Sequence, residues 1–397
     1  MKALITGCNG FVGKYLAREL IDAGHTVYGL GQGPFSLGTH ADNVPQRGDR
    51  AARSTSSAPE TSSVSGFSSA SVILSGAPIS SVAVTPSDLL NSSASATSSV
   101  VLWEGVDQSD TQNGRDVQYD ARYDVFYEEV NILDAQALQL CVERIRPDWV
   151  FHLAGIASVQ YSWQEPGKTF AINVLGTINL LQALAGTGVQ AILQIGSSEV
   201  YGPGKTVGEK FHEASCPNPQ SPYATSKYAA ERSALQLGQK LSLPVLAVRP
   251  FNHIGPGQAE GFVIPDFARE LVRAARGRGS VATGRLDVYR DFTDVRDVVH
   301  AYRLLAERGS AGEVYNICSG RARQLSDILD MMRRTYGDLT VIPDASKMRP
   351  TENIYSVGDP GKIRKTTGWE PVYTLEQSVK DVLAEWEERI RDRGDAS

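Results

Sequence analysis

Tyr223 and Lys227, four residues apart in SPYATSKYAAE, are the first pair of side chains in this sequence that can do chemistry together. On a helix this spacing places both side chains on one face. We expect the lysine ammonium to lie near the phenol and to lower the pKa of Tyr223 from about 10 toward the working range. Such a tyrosine is a general acid, but YxxxK is common on helix surfaces, so the pattern needs support from other residues.

That support comes from two serines upstream, Ser197 and Ser198 in GSSEVYG. They follow the apolar run AILQI, which is typical of a buried strand. A hydroxyl at the end of such a strand can bond to a substrate oxygen and orient the phenol. The two motifs together therefore predict a site for proton transfer to a substrate oxygen.

The third motif is a glycine loop, Gly7, Gly10 and Gly13 in TGCNGFVG. It lies between a short apolar run, Ala3 to Ile5, and a segment with the apolar period of a helix. Glycine is needed where the chain turns tightly and where pyrophosphate oxygens approach amide groups at the positive end of a helix. We therefore expect dinucleotide binding here, and we interpret Cys8 within the loop as a small filler rather than a nucleophile.

The type of dinucleotide depends on the end of the second strand, which reads Leu30, Gly31, Gln32. An acidic residue there would bond the ribose hydroxyls of NAD, whereas a nearby arginine would accept the 2′-phosphate of NADP. The strand ends with neither, which removes the repulsion against a phosphate. The sequence thus favours NADP(H) and leaves NAD(H) possible, with Arg47 or Arg50 as candidate phosphate ligands.

The elements that must position these residues alternate between strand and helix patterns along the chain. After the glycine unit, the strand patterns PDWVFHLAG, AILQIGSS and LPVLAVRP alternate with helices around Phe170 to Ala185 and Tyr223 to Lys240. This predicts an α/β fold, a Rossmann-type doubly wound parallel sheet over residues 1–249. Residues 250–392 are expected to form a smaller C-terminal α/β substrate-binding domain, with about 293–320 returning to the main sheet.

The length of 397 residues exceeds what one compact core usually needs. Residues 54–99 contain 18 serines and only two charged residues, Glu60 and Asp88. This composition predicts a flexible low-complexity insertion within 34–120, although Ser71 to Leu74 is also compatible with an edge strand or a partner contact. Removing those 87 positions leaves 310 residues, about the size of one enzyme built from a cofactor domain and a smaller substrate domain.

Composition excludes several other classes of function. The formal net charge of −6 without a Lys/Arg block gives no electrostatic footprint for nucleic acid or an anionic membrane. No apolar stretch reaches the roughly 18 residues of a membrane span, and the four cysteines stand far apart. The histidines show no metal-ligand spacing and are interpreted as structural or exposed; they are His25, His40, His152, His212 and His300. A cytoplasmic protein that binds a small molecule and no metal is expected.

TGxxGxxG, HLAG, SSEVYG, YxxxK and RDFTDV together resemble the extended short-chain dehydrogenase/reductases, in their sugar-nucleotide epimerase/dehydratase group, over nearly the whole chain outside the serine-rich segment. The resemblance implies a homodimer built on the helix of Tyr223 and the helix before it. It assigns Ser197, Tyr223, Lys227 and Glu199 to catalysis. It assigns to the cofactor Gly7, Asn9, Gly10, Phe11, Val12, Gly13, Asn131, Ile132, Leu153, Ala154, Gly155 and Asn173, besides Tyr223 and Lys227. It assigns to the substrate Ser198, Asn252, Val263, Arg290, Arg349 and Glu352, and to His253 packing or a ribose contact.

Within this group, RPFNHIGPGQ, YRDFTDVRD, VYNICSG and RPTENIYSVGD resemble members that reduce GDP-linked sugars. This implies reduction of the C4 ketone of GDP-4-dehydro-6-deoxy-D-mannose to GDP-D-rhamnose. Glu199 keeps a GDP-mannose 4,6-dehydratase or a 4-epimerase open, because dehydratases use a glutamate here as the base. A non-catalytic sugar-nucleotide sensor is a third alternative, against which the intact triad argues.

Overall fold

The computed structural model describes residues 1–33, 118–120, 125–204, 206–277, 279–348 and 353–394. The predicted insertion, apart from the short strand at its end, lies outside the described residues. The residues outside the described part therefore include His40, Arg47, Arg50 and the segment Ser71 to Leu74. Arg349 and Glu352 also lie outside them.

The described chain contains a large sheet and several short ones. In chain order the strands are β1 (Lys2–Thr6), β2 (Thr26–Gly31), β3 (Gln118–Asp120), β4 (Val125–Glu129), β5 (Trp149–His152), β6 (Ala191–Ile195), β7 (Val245–Pro250), β8 (Asn252–Ile254), β9 (Val281–Thr283), β10 (Tyr289–Arg290), β11 (Phe292–Asp294), β12 (Val314–Ile317), β13 (Arg323–Gln324), β14 (Val341–Pro343) and β15 (Tyr355–Ser356).

The helices follow the same alternation. They are α1 (Phe11–Asp22), α2 (Ala135–Ile145), α3 (Val159–Gln164), α4 (Pro166–Phe170), α5 (Gly176–Ala183), α6 (Pro222–Leu241), α7 (Val263–Ala275), α8 (Val295–Arg308), α9 (Leu325–Arg333), α10 (Gly361–Thr367) and α11 (Leu375–Gly394).

The large sheet has the strand order β12-β7-β6-β5-β1-β2-β4-β3. Seven strands run parallel, and only the edge strand β3 pairs antiparallel, with β4. The chain therefore starts in the middle of the sheet and winds outward in both directions, which places the ends of β1, β5 and β6 side by side. The predicted Rossmann-type doubly wound fold is confirmed.

Alternate residues of the strands supply two cores on opposite faces of the sheet. Ala3 and Ile5 of β1 belong to the core formed with α1, α8 and α10, whereas Leu4 belongs to the core formed with α2, α5 and α6. This division follows from the two-residue period of a strand. Burial on both faces explains why the strands read as continuous apolar runs rather than as alternating ones.

The segment after β7 forms a smaller α/β region. Helices α7, α9 and α11 share a third core that contains Phe267, Leu329 and Trp386. Strand β8 pairs in parallel with β11, and β10 pairs with β13 and β15. Strand β12 then joins the main sheet beside β7. The boundary at residue 249 stays a prediction.

The helix expected around Phe170 to Ala185 is not one regular helix. Strands β5 and β6 are joined by α3, α4, a wide π-helical turn (Ala171–Leu175) and α5. The wide turn lies where the buried Asn173 side chain bonds to the backbone of residue 156, in a different segment. Apolar spacing does not reveal it, because its stabilising contacts come from outside the helix.

Candidate active site

The glycine loop joins β1 to α1 at the carboxyl edge of the sheet. The amides of Gly7 and Cys8 donate to the carbonyl of Leu30 over 2.7 and 3.2 Å. Gly7 has a φ of +74°, and a Cβ there would lie 2.8 Å from the amide nitrogen of Ala154. Only glycine allows the loop to pass this close to the end of β5. The thiol of Cys8 lies beneath the loop, and burial raises its pKa to about 12, so it remains a neutral filler.

The start of α1 has the shape that a pyrophosphate needs. Gly10 is the N-cap and makes no side-chain capping bond, so the amides of the first turn, Phe11 to Gly13, have no partner within the helix. A Cβ at Gly13 would lie 2.5 Å from the carbonyl oxygens of Gly7 and Cys8. Free amides at a positive helix end, beside a loop that excludes side chains, fit the two phosphates of a dinucleotide.

Two further residues of the predicted cofactor set fix this helix end. Val12 packs inward on the core, and the Phe11 ring stacks on the His253 ring at a centroid distance of 6.0 Å. Burial lowers the pKa of His253, whose Nδ1 lies 3.3 Å from the Phe251 carbonyl oxygen. His253 is thus a neutral packing residue at the mouth of the loop.

A carboxylate that the sequence pattern does not reveal lies beside the end of β2. Glu129, at the end of the neighbouring strand β4, accepts from the amide of Gly33 over 3.0 Å, and the Tyr127 hydroxyl donates to the Gly33 carbonyl over 2.7 Å. Asn9 donates from its amide to the Gln32 carbonyl. These residues are 23 to 96 positions apart from their partners, so only the fold brings them together.

The other predicted adenosine residues lie on the loop after β4. Asn131 accepts from the Leu133 amide over 3.0 Å, which fixes the loop before α2. Ile132 is buried, and its Cγ2 would lie 2.8 Å from a Cβ at Gly176. Both residues thus lie on the loop that leaves β4 beside Gly31, and their contact with the cofactor stays a prediction.

Ser197 and Tyr223 meet at the carboxyl end of β6. Tyr223 is in the first turn of α6, whose start is fixed by the Ser221 cap and by Pro222. The Tyr223 phenol lies near the Ser197 hydroxyl, and both residues are less than a tenth exposed. Lys227, one turn later, is also buried and donates from Nζ to the Ile195 carbonyl over 2.8 Å. The two motifs thus form one constellation.

The pKa of the phenol differs from the expectation. Burial raises the pKa of Tyr223 to about 12, with the nearby Ser197 hydroxyl acting against this shift and the charge of Glu199 adding to it. The expected lowering by Lys227 is wrong for this structure: Lys227 is not among the groups that shift this pKa, and desolvation of the phenolate is the largest effect. Burial likewise lowers the pKa of Lys227 to about 8. Tyr223 is therefore protonated at neutral pH, as a proton donor must be.

Gly155 and Asn173 form the wall beside Lys227. A Cβ at Gly155 would lie 2.8 Å from Asn173 Oδ1 and 3.4 Å from Lys227 Nζ. The Asn173 side chain accepts from the Ile156 amide over 2.7 Å. Leu153 and Ala154, just before, are partly buried against the two cores. The chain after β5 thus packs closely against Asn173 and Lys227, on the side that the family resemblance assigns to the cofactor, and leaves no room for a side chain at residue 155.

Two buried serines that the sequence analysis missed hold the backbone of Tyr223. Ser162 Oγ accepts from the Tyr223 amide over 3.0 Å, and Ser226 Oγ donates to the Tyr223 carbonyl over 2.8 Å. Ser226 was visible within YxxxK, since it precedes Lys227. Ser162 carries no such signal, because it lies 61 positions away on α3.

The predicted substrate residues are spread over several elements, unlike the three residues of the triad. Ser198 and Glu199 open the short 3₁₀ helix after Ser197; Ser198 is buried and Glu199 is exposed. Asn252 is the first residue of β8 and pairs with Phe292, two positions after Arg290. Arg290 donates to the Tyr289 carbonyl, and Val263 begins α7. Asn252 and Arg290 thus lie on strands of two different small sheets, and the link between them is that β11, which follows β10 directly, pairs with β8.

Other kinds of site are absent from the described part of the chain. It holds no group of three or more His, Cys, Asp or Glu side chains suited to a metal ion. None of its helices combines the length and apolar character required to span a bilayer.

A glycine loop on a doubly wound sheet with a Ser–Tyr–Lys constellation defines a nicotinamide-dependent oxidoreductase of the extended short-chain dehydrogenase/reductase type. Comparison with known families agrees: the GDP-mannose 4,6 dehydratase family matches residues 95–382, and the NAD dependent epimerase/dehydratase family matches residues 3–83. The chain belongs to the epimerase/dehydratase family of these enzymes, in its GDP-mannose 4,6 dehydratase branch.

Individual relatives are similar over most of their length. The GDP-6-deoxy-D-mannose reductase of Pseudomonas aeruginosa is 41% identical over 250 residues, 62% of this chain and 82% of that protein. The GDP-mannose 4,6-dehydratase of Vibrio cholerae is 25% identical over 288 residues, 64% and 76% of the two chains. The structure of RMD from Pseudomonas aeruginosa complexed with NADPH superimposes with a TM-score of 0.67 at 30% identity, covering 98% of this chain and 99% of that one.

Proposed function

We propose that this protein reduces the C4 ketone of GDP-4-dehydro-6-deoxy-D-mannose to give GDP-D-rhamnose, with NADPH as the reductant. The observation that carries the proposal is the 41% identity to a GDP-6-deoxy-D-mannose reductase over 82% of that relative. The protonated state of Tyr223 supports it, because ketone reduction starts from an acid and not from a base.

The side chains of the site divide the work of the reduction. A bound reduced nicotinamide supplies the hydride. Tyr223 donates its phenolic proton to the oxygen that develops negative charge at C4, and Ser197 holds that oxygen by a hydrogen bond. Lys227, one helical turn from the phenol and charged at neutral pH, would bond the ribose of the bound nicotinamide.

The preference for NADP(H) over NAD(H) rests on the end of β2. A Cβ at Gly31 would lie 2.6 Å from Asn9 Oδ1 and 2.8 Å from the Tyr127 hydroxyl oxygen, so this position has no room for a ribose-binding carboxylate. Glu129, the nearby acid, already bonds the Gly33 amide. The similar RMD structure from Pseudomonas aeruginosa, which is a complex with NADPH, supports the same preference.

The direct test is turnover with GDP-4-dehydro-6-deoxy-D-mannose. We expect loss of the reduced-nicotinamide absorbance, with a lower KM for NADPH than for NADH. Tyr223→Phe should lower kcat by about 10²- to 10⁴-fold, the usual contribution of a positioned acid. Tyr228→Phe, on the same helix and partly buried, is the matched control and should keep kcat. No oxidation of either cofactor would refute the proposal.

A dehydratase activity is the second candidate, and Glu199 is the observation that favours it. The carboxylate is exposed beside Ser197, and the matching family is named for GDP-mannose 4,6 dehydratase. Incubation with GDP-mannose and catalytic NADP⁺ distinguishes the two. Formation of a 4-keto sugar without net cofactor oxidation, abolished by Glu199→Gln, would assign the dehydratase; a 4-epimerase would instead convert the sugar without losing water.

We also propose that the protein is cytoplasmic and forms a homodimer. A cytoplasmic location is supported by four free cysteines, three of them buried. A homodimer is supported by large apolar side chains exposed around α3 to α5, namely Trp163, Phe170 and Leu175. A self-complementary contact between two copies would cover them.

A further inference from the structure

A buried imidazole joins the glycine loop to the wide turn behind the active site. His152, the last residue of β5, is 2% exposed. Its Nδ1 lies 2.7 Å from the Thr6 hydroxyl oxygen, and its Nε2 lies 2.9 Å from that of Thr177. Thr6 directly precedes the glycine loop, and Thr177 follows the wide turn. The imidazole therefore bridges the two elements that border the cofactor site.

The hydrogen bonds around His152 admit one arrangement of protons. The single Thr177 hydroxyl hydrogen goes to the Asn173 carbonyl at 2.7 Å, so this hydroxyl must accept from Nε2–H. Nδ1 then carries no proton and accepts from the Thr6 hydroxyl, which itself accepts from the Ala154 amide at 3.3 Å. Burial and the nearby Lys227 lower the pKa of His152 to about 3, which keeps the ring neutral.

Beyond Asn173 the chain of bonds continues to the catalytic helix. Asn173 is buried, and its amide donates to the Ser226 hydroxyl over 2.9 Å and to the Ile156 carbonyl over 3.2 Å. Ser226 in turn donates to the Tyr223 carbonyl. A displacement of the wide turn would thus move the wall at residues 155–156 and the Tyr223 backbone together.

We propose that His152 is a positioning residue. Through Nε2–H it fixes Thr177 and the carbonyl of Asn173, and thereby holds the wall at residues 155–156 and the Tyr223 backbone in the positions that the reduction requires. His152 touches neither substrate nor cofactor and exchanges no proton in the reaction. The inference rests on the proposed reductase function. Because a shift of about 1 Å at a reacting centre can cost up to 10²-fold in rate, the effect should be measurable in kcat.

Two substitutions separate the halves of the bridge. In His152→Gln the amide nitrogen reaches the position of Nε2 and keeps the donor to Thr177. In His152→Asn the amide oxygen reaches the position of Nδ1 and keeps the acceptor for Thr6. Each variant loses one hydrogen bond, so a merely structural imidazole predicts similar losses of thermal stability and equal kcat values.

We expect kcat at saturating substrates to stay within about threefold of wild type in His152→Gln and to fall at least about tenfold in His152→Asn. Thr177→Val, which keeps the shape of the side chain, should reproduce the fall seen in His152→Asn. Combining these two changes should cost little more than either alone, since both remove the same link. Thr367→Val, which removes a buried hydroxyl in α10, should lower stability and leave kcat unchanged.

A second readout does not depend on the substrate. Amide hydrogen exchange of residues 153–157 and 223–227 should be faster in His152→Asn than in wild type and unchanged in His152→Gln. Equal exchange and equal kcat in the two variants would overturn the proposal. If wild-type protein fails to reduce the ketone, the proposed function fails, and the exchange experiment alone then decides the role of His152.

Discussion

Lys227 shows how burial serves the reaction and costs stability at the same time. The side chain is 6% exposed, and burial lowers the pKa of its ammonium from 10.5 to about 8. The ammonium is nevertheless charged at neutral pH, so the folded protein carries a poorly solvated charge. A residue kept for its chemistry in this way weakens the fold that surrounds it.

We predict that Lys227→Met abolishes turnover and raises the free energy of unfolding at pH 7.5 by about 2 kcal/mol. The depressed pKa means that the buried charge destabilises the folded protein by about 3 kcal/mol. Loss of the bond to the Ile195 carbonyl cancels about 1 kcal/mol of the stability gained by removing that charge. Since the folded-state pKa lies below the unfolded value, wild-type stability should recover as pH rises from 8 toward 10.5, and the advantage of the variant should shrink.

Urea unfolding at pH 7.5 and 9.5 measures the gain in stability of the variant and its decrease with pH, and the turnover assay measures the loss of activity. Lys240→Met, which changes an exposed lysine at the end of the same helix, should alter neither activity nor stability by a comparable amount. A variant less stable than wild type at pH 7.5 would show that the Ile195 bond outweighs the buried charge.

Among single residues, the sequence revealed those whose partners are close along the chain. The spacing of Gly7, Gly10 and Gly13 and of Tyr223 and Lys227 is local, so pattern and helix geometry suffice. Ser162, and Thr6 as a partner of His152, act through contacts 61 and 146 positions away. No periodicity encodes such pairs, and they become visible only when the sheet order is known.

At the scale of elements, one buried carboxylate connects three segments of the substrate side. Asp291, between β10 and β11, accepts from the amides of Ser319, Gly320 and Gly358 over 2.8, 2.9 and 3.3 Å, and from the Ser319 hydroxyl. It follows Arg290 directly. Burial raises its pKa to about 6 in spite of these four donors.

We predict that Asp291→Asn raises the KM for the GDP-sugar about tenfold while the KM for NADPH stays unchanged. The new amide group would face amide donors, which costs about 1 to 3 kcal/mol and releases the turn at 319–320 and the segment at 358. Steady-state kinetics with each substrate varied in turn checks this. Asp287→Asn, an exposed aspartate paired with Arg285 just before β10, is the control and should affect neither KM.

Elements with strong apolar patterns were predictable, whereas their irregularities were not. The strands β1, β5, β6 and β7 and the helix α6 correspond to their patterns because burial on the sheet dictates their composition. The wide turn at 171–175 is stabilised by Asn173, whose partners belong to other elements. A local deviation with distant partners lies beyond any argument from spacing.

At the scale of the whole molecule, the proposed homodimer rests on the exposed apolar face around α3 to α5. We predict that the protein elutes as a dimer and that Trp163→Glu combined with Leu175→Glu yields a monomer, because each change buries a charge in the contact. Val372→Glu changes an even more exposed apolar residue far along the chain and should keep the dimer. Light scattering coupled to size exclusion measures all three, and a monomeric wild type would contradict the prediction.

The pairing of β2 with β4 also governs how the chain reaches its fold. Gly31 pairs with Glu129, 98 positions later, although the two strands are neighbours in the sheet. The entropy of closing such a separation grows slowly, by about 0.6 kcal/mol for each doubling, so equilibrium stability barely registers it. Folding speed is more sensitive, since it falls as contacts become more distant in sequence. The pairing of β2 with β4 should therefore slow folding while it leaves the free energy of unfolding almost unchanged, and the pairing of β1 with β5, whose partners lie 146 positions apart, should slow it further.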